Sequence, residues 1–286
     1  VCIDATLGPG VVELGEVVVE GREPGEILLS TYCCHPSMAN NELSGPVVTA
    51  ELARRLREGP APRLTHRLIW VPETIGAIAY LSRFGERLRE HLVAGYVITC
   101  IGHGEGMTFK RSRRGDTLAD RAAEHVLAHR PGRTGVVDFY PASSDERQFC
   151  SPGYDLPVGS LMRRVHGSWP EYHTSLDDLE LVTPAALADS LRACEDVLAV
   201  HDANETFAAT VVHGEPQLGR RGLYPTAGGA WPTADRVNDL EDMMFLLNFC
   251  DGSADLLTAA ERSGRPVAAL HAVADRLAAP GLLDPV

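Results

Sequence analysis

Between residues 26 and 200, apolar runs of strand length alternate with segments of helical periodicity, and this alternation constrains the fold more than any other feature of the chain. Glu26–Cys34, Thr65–Val71, Ala94–Ile101 and Leu156–Met162 read as strands, with a strand-like step at Val136–Phe139. Between them, Gly45–Arg57, Ala77–Leu88, Thr117–Leu127 and Pro184–Val200 carry apolar residues at helical spacing. In the last of these, Leu187, Leu191, Cys194 and Leu198 share one face. Strands alternating with helices predict an α/β domain, a mostly parallel mixed sheet with helices on both faces. In such sheets chemistry collects beyond the carboxyl ends of the strands. His35, Glu73, His103, Asp145 and His173 all fall there in this reading.

The flanks have a different character. Val1–Gly21 reads as strand material with turns at Gly8–Gly10, the end of a β-rich element that begins upstream. After Glu205 comes a short strand, Thr206–Val212, and then the turn-rich Gly214–Gly229. Arg236–Val286 reads as a unit of its own, with helices Val237–Phe249, Ser253–Arg262 and Val267–Leu277 and a short apolar end, a winged-helix-like pattern. The expected organisation is therefore 1–24, the end of a β-rich insertion; 25–205, the catalytic domain; 206–235, a linker or hairpin; and 236–286, the winged-helix-like domain.

Charge then limits the partners. The net charge is −13, and an acidic chain repels phosphate backbones and anionic membranes. The C-terminal unit sets four arginines, Arg236, Arg262, Arg265 and Arg276, against eight acids, where a DNA footprint should be basic. Packing or self-association is its expected role. The expected partner is a small molecule or peptide substrate, with no nucleic acid, no membrane and possible homo-oligomers. Seven cysteines at irregular spacing fit reduced thiols in a cytoplasm. The vicinal Cys33–Cys34 reads as two small buried residues of a strand, a metal or redox role being the alternative. Lys110-Arg111-Ser112-Arg113-Arg114 reads as a solvated loop or an anion-binding wall. No Gly-x-Ser-x-Gly elbow occurs, which argues against a serine hydrolase.

Two histidines remote in sequence, His35 in CCHPSMANNELSG and His173 in EYHTSLDD, each follow an apolar segment and sit among acids and amides. Such a pair suits a metal site assembled from separate strand ends. These two stretches, with VPETIGAIAY and SSDERQFCSPGYDLPVG, resemble the signature segments of bacterial aminopeptidase-like proteins of the zinc-dependent exopeptidase superfamily. Di-zinc aminopeptidases and glutaminyl cyclases belong to the same superfamily. GEPQLGRRGLYP and LLNFCDGSADLLTAAE resemble the C-terminal part of the same proteins, where a winged-helix unit follows the catalytic domain.

The resemblance implies an amide hydrolase that uses zinc-bound water, the metal lowering the pKa of that water to about 7. His35 and His173 match the first and last histidine ligands of the superfamily. Asn41 stands where the pattern Ala-Asn-Asp-Asn carries its bridging aspartate. A neutral amide cannot bridge two dications as a carboxylate does, so one zinc is expected rather than two. Glu42 is acidic and adjacent, but successive side chains need not point the same way. Glu73 matches the general base when aligned through Gly76, and Thr74 then replaces a metal-binding glutamate. Asp145 matches a pocket loop, as a ligand or as an acceptor for a histidine. Arg147 and Gln148 are candidates for holding a substrate carboxylate. His103 ends the third strand where dinuclear relatives place an aspartate ligand and is a candidate for that role or for the substrate site, a simple turn being the alternative, and Tyr172 is a candidate oxyanion donor. The alternative is an impaired member that binds a ligand or partner in the same pocket.

Overall fold

The computed structural model describes residues 2–142, 144–224 and 234–286, with residues 234–238 as backbone only. The chain forms two compact units, 1–194 and 195–286. In chain order the first contains β1 (Gly15–Val19), β2 (Glu26–Tyr32), a π-helical turn at Ala39–Leu43, α1 (Ser44–Glu58), β3 (Thr65–Val71) and α2 (Ile75–His91). It continues with β4 (Leu92–Ile98), β5 (Met107–Lys110), α3 (Leu118–His129), β6 (Thr134–Val137), α4 (Glu146–Phe149) and β7 (Val158–Met162). Helix α5 (Pro184–Ala203) begins in it.

Seven strands make one sheet in the order β1-β3-β2-β4-β7-β5-β6. The central β3, β2, β4 and β7 run parallel, whereas β1 is antiparallel to β3 and β5 antiparallel to β7. Every residue of β2 and of β7 is buried, as expected of strands covered on both faces. On one face Leu28, Tyr32, Ile69, Val71, Val97 and Val158 of the sheet pack with Ala77, Tyr80, Leu81 and Leu88 of α2. At roughly 25 cal/mol per Å² of apolar surface removed from water, such side chains each contribute about 1.5–3 kcal/mol. Helix α3 is fixed at its start by a capping box between Thr117 and Asp120.

The differences from expectation have physical reasons. Strand β2 stops at Tyr32, so Cys33 is exposed and Cys34 half-buried in the following loop rather than inside a strand. Strand β5 was hidden in the supposed basic loop. Lys110 is 5% exposed and donates to Glu146 (2.7 Å) and to the Ala142 carbonyl (2.9 Å). Arg111 pairs with Glu124 and Asp138, and Arg113 with Asp155. Of the basic residues in the run only Lys110 is buried; Arg111–Arg114 form a loop, as expected, in which Arg113 and Arg114 are exposed and Arg111 and Arg113 carry ion pairs. Of Val1–Gly21 only β1 is a strand, and it belongs to the main sheet. Val1 and Ser143 lie outside the described residues.

The second unit has β8 (Thr206–Ala209), a 3₁₀ turn at Gly219–Arg221, α6 (Ala234–Phe249), β9 (Asp251–Asp255), α7 (Leu256–Ser263), α8 (Val267–Ala278) and β10 (Leu283–Pro285). Three helices accompany a small antiparallel sheet in the order β10-β8-β9. The winged-helix arrangement is therefore present, and β8, expected in a linker, is its central strand. Residues 225–233, the rest of that expected linker, are outside the described residues. Asp251–Asp255 is strand where a turn at Asp251-Gly252 and the start of a helix at Ser253 were expected; the helix begins only at Leu256, with Asp255 as its cap accepting from the Thr258 N–H.

Candidate active site

The register of β2 on β3 pairs Tyr32 with Val71, so the loops that follow leave the sheet side by side. The Glu73 N–H donates to Cys34 Sγ at 3.1 Å. Beyond β4, Thr99 bonds the Tyr32 hydroxyl and Cys100 reaches Asn41. The candidate residues thus gather beyond the carboxyl ends of β2, β3 and β4.

The loop of His35 is anchored through the π turn. Asp177 accepts from the backbone N–H groups of Asn40 (2.6 Å) and Asn41 (3.0 Å). Asn40 Oδ1 accepts from Gly102 N (2.9 Å), and Ser44 Oγ bonds both the Asn40 carbonyl and Ile101 N. Asn40, Asn41 and Glu42 are all buried as a result. A single π turn inside a helix start is a local distortion that recurs at functional sites. Here it turns two adjacent side chains, Asn41 and Glu42, to the same side.

The His35 and His173 rings have centroids 4.7 Å apart. His35 Nδ1 lies 3.1 Å from Glu42 Oε1 and 3.8 Å from Glu73 Oε2. His173 Nε2 is 3.3 Å from Asn41 Nδ2, and the same amide donates to Glu42 Oε1. Tyr172 stacks on His173 with centroids 3.9 Å apart. His173 adopts φ 57°, and Thr74 φ 61°, which is costly for a β-branched residue. Asp145 Oδ1 accepts from Thr74 N at 2.7 Å, and Arg147 Nη2 donates to Thr74 Oγ1 at 3.1 Å.

His35, Asn41, Glu73, Tyr172 and His173 are therefore brought together, with Asp145 and Arg147 behind Thr74. Asn41 differs from the ligand role expected of it, whereas Asp145 keeps one buried oxygen, Oδ2, without a hydrogen-bond partner. The Asn41 carbonyl oxygen takes the Cys100 thiol (3.0 Å) and its NH₂ faces Glu42 and His173, so the amide is a strut with both ends engaged. Asp145 Oδ1 holds the turn after Glu73. His103 has Nδ1 3.2 Å from the Leu181 carbonyl, apart from this cluster. Gln148 is half-buried on α4, and its backbone N–H bonds the Asp145 carbonyl.

Two contributors escaped the sequence reading. Glu42 is 1% exposed, and its Oε2 is buried with no hydrogen-bond partner. Asp177 lies inside the quoted EYHTSLDD stretch, but only the fold reveals that it grips the loop of the other histidine. Nothing in the spacing predicts the π turn that turns Glu42 inward.

Burial sets the electrostatics. It pushes the Glu42 carboxyl up to about 9, with Glu73, Asp177 and Asp145 adding repulsion against the His35 contact. Burial raises Asp145 to about 7 and Glu73 above the ordinary carboxylate range. It also pushes the Tyr172 phenol up to about 12, and burial together with His35 holds His173 below the usual imidazole value.

Burial lowers His166, beside the Tyr32 hydroxyl at 3.2 Å, to about 4. Between that value and the ordinary 6.5 the unfolded chain binds a proton that the folded chain does not, so the contribution of His166 to stability rises with pH across this window, opposite in sign to that of the raised carboxyls of Glu42 and Asp145. In urea titrations from pH 4 to 7, His166→Gln is expected to make the slope of stability against pH less positive than in wild type, by on the order of 2 kcal/mol over the window for a half-buried ring. An unchanged slope would place the titration elsewhere.

Among the described residues no three His, Cys, Asp or Glu side chains surround one point closely enough to hold an ion as they stand. The chemistry of the donors nevertheless suits one borderline divalent cation: two imidazoles, a half-buried glutamate, and a buried carboxylate with one oxygen unpartnered.

Residues 5–204 match the family model of a domain of unknown function, DUF4910, and residues 205–285 that of a winged helix-turn-helix. A curated protein of Clostridium acetobutylicum is 40% identical over 277 residues. Its name provisionally describes a polysaccharide biosynthesis protein with an aminopeptidase-like domain. The match covers 97% of this chain and 62% of that protein's length. The crystal structure of a provisionally named peptidase from the same organism superposes with a TM-score of 0.87 at 38% identity, over 96% of this chain and 60% of that one. A zinc aminopeptidase from Bacillus subtilis aligns with a TM-score of 0.54 at 17% identity, over 66% of this chain and 49% of that one, a likeness of fold.

Proposed function

The chain belongs to the DUF4910 family, has an aminopeptidase-like fold and carries a winged helix-turn-helix, and on that premise we propose that it is a metal-dependent hydrolase cleaving an amide bond. The observation that carries this reading is the convergence of His35 and His173, ring to ring, beside Glu73. These imidazoles would hold one zinc ion. The ion would supply a polarised carbonyl and a water with its pKa lowered to about 7.

The chain's own groups account for proton movement and orientation. Glu73 Oε2 accepts the proton of the attacking water and returns it to the leaving amine nitrogen. A carboxyl raised by burial is matched to that exchange near neutral pH. Asp145 and Arg147 hold Thr74 from both sides and so fix the turn that aims Glu73. The Tyr172 hydroxyl, kept protonated by burial, donates to the developing oxyanion. The substrate is a peptide or a small amide-containing metabolite. A cytoplasmic setting is supported by seven free thiols. Among the described residues no helix is long and apolar enough to cross a membrane. We propose no nucleic-acid partner for the C-terminal unit, since Arg265 pairs with Asp242, Arg276 with Asp239, and Arg262 lies over Phe249.

Asn41 favours a second reading, a member that binds a ligand in this pocket without cleaving it. Metal analysis separates the two. Protein purified without chelators is expected to hold about one zinc per chain, lost in His35→Ala and in His173→Ala. Metal-free wild-type protein would leave the binder.

A further inference from the structure

The position that carries a carboxylate in the resembled pattern holds Asn41, and the acid beside it, Glu42, is buried with one carboxylate oxygen unpartnered, as Asp145 also is. We infer that Glu42 is the metal-binding carboxylate here and that Asn41 is the positioning residue that aims it. The inference rests on the zinc reading above.

The geometry is specific. Asn41 is locked on three sides: its backbone N–H bonds Asp177 Oδ2 at 3.0 Å, its Oδ1 takes the Cys100 thiol at 3.0 Å, and its carbonyl accepts from Thr99 Oγ1 at 3.4 Å. What remains free to point into the site is its NH₂. That group donates to Glu42 Oε1 and lies 3.3 Å from His173 Nε2. Glu42 Oε1 is also 3.1 Å from His35 Nδ1. Donors bound to one tetrahedral ion at about 2 Å each are roughly 3.3 Å apart, so the His35–Glu42 pair already has the spacing of neighbouring ligands. The Asn41 amide spans the remaining gap between this pair and His173.

Glu42 Oε2 then has no partner, although Glu42 is 1% exposed. A buried carboxylate oxygen left without donor or cation is costly. Around it stand Glu73, Asp145 and Asp177, all acidic, against His35. The cluster lacks a positive charge, and a divalent cation supplies it. The longer glutamate side chain compensates for its one-residue displacement from the bridging position. The set of two imidazoles and one carboxylate leaves the fourth position of a tetrahedral zinc open to water, as in catalytic sites.

The test is a zinc titration against a chromophoric chelator, with the visible spectrum of the cobalt(II)-loaded protein as a second readout and circular dichroism as the folding control. Glu42→Gln is expected to weaken zinc more than about 100-fold and to shift the cobalt bands. Glu42→Asp, which keeps the charge, is expected to stay within about tenfold of wild type. Asn41→Ala should weaken zinc about 10–100-fold without removing a ligand, leaving the cobalt band positions unchanged. Zinc affinity in Glu42→Gln within about threefold of wild type, with His173→Ala still losing the ion, would overturn the role of Glu42 and leave the hydrolase reading intact. So would equal losses in Glu42→Gln and Glu42→Asp, which would mark a packing effect. Failure of wild-type protein to bind zinc would overturn the hydrolase reading itself.

Discussion

Replacement of Glu73 by glutamine is expected to abolish turnover while leaving fold and zinc content unchanged. Positioned general bases contribute about 10²–10⁴ in rate, and the amide keeps the shape of the carboxylate but cannot take a proton. The experiment assays zinc-loaded wild type and Glu73→Gln on a panel of aminoacyl 4-nitroanilides and short peptides. The pH dependence carries a second signature. Burial raises the Glu73 carboxyl, so the base is lost as pH falls through that raised value. The rate should therefore climb with pH along an acid limb, and the variant should lack that limb. A variant kcat within about threefold of wild type would remove Glu73 from the reaction. Zinc-loaded wild type inert across the panel would favour the ligand-binding reading.

A large loss of stability is expected from Gly45→Ala. A Cβ built on Gly45 meets the Ile98 carbonyl oxygen at 2.3 Å and Thr31 Oγ1 at 2.5 Å. The first is backbone of β4, and Thr31 Oγ1 is itself bonded to that carbonyl, so neither yields cheaply. Overpacking a fitted core usually costs about 1–3 kcal/mol, and contact with an immobile strand carbonyl places this change at about 3 kcal/mol or more. Because Gly45 directly follows the turn carrying Asn41 and Glu42, zinc affinity should fall as well. Gly153→Ala is the control, since nothing lies within 4 Å of the point its added methyl would occupy. Urea denaturation giving equal midpoints for the two variants would show that α1 can slide away from β4.

Much of the architecture was legible because burial on both faces leaves a direct mark. Glu26–Cys34 and Thr65–Val71 read as apolar strands, and strands at Glu26–Tyr32 and Thr65–Val71 lie at the centre of the sheet. The helices between them followed from their apolar faces. Strand β5 was not legible: its Lys110 is buried against Glu146, and a buried ion pair looks like surface in a sequence. Within the site, His35 and His173 stood out by their neighbours and their positions after apolar runs. Glu42 did not, since adjacent residues share one side only where the backbone takes an unusual turn. Asp145 and Arg147 were visible as loop residues, but their attachment to Thr74 depends on a contact across more than 70 positions.

The bond from Asp177 to Asn40 spans 137 residues. During synthesis the first histidine loop emerges long before the acid that clamps it. A ribosome-bound chain that has not yet extruded residue 177 holds β2 and β3 but no fastened pocket. A truncated product that ends before residue 177 lacks the acid that holds the Asn40–Asn41 turn in place.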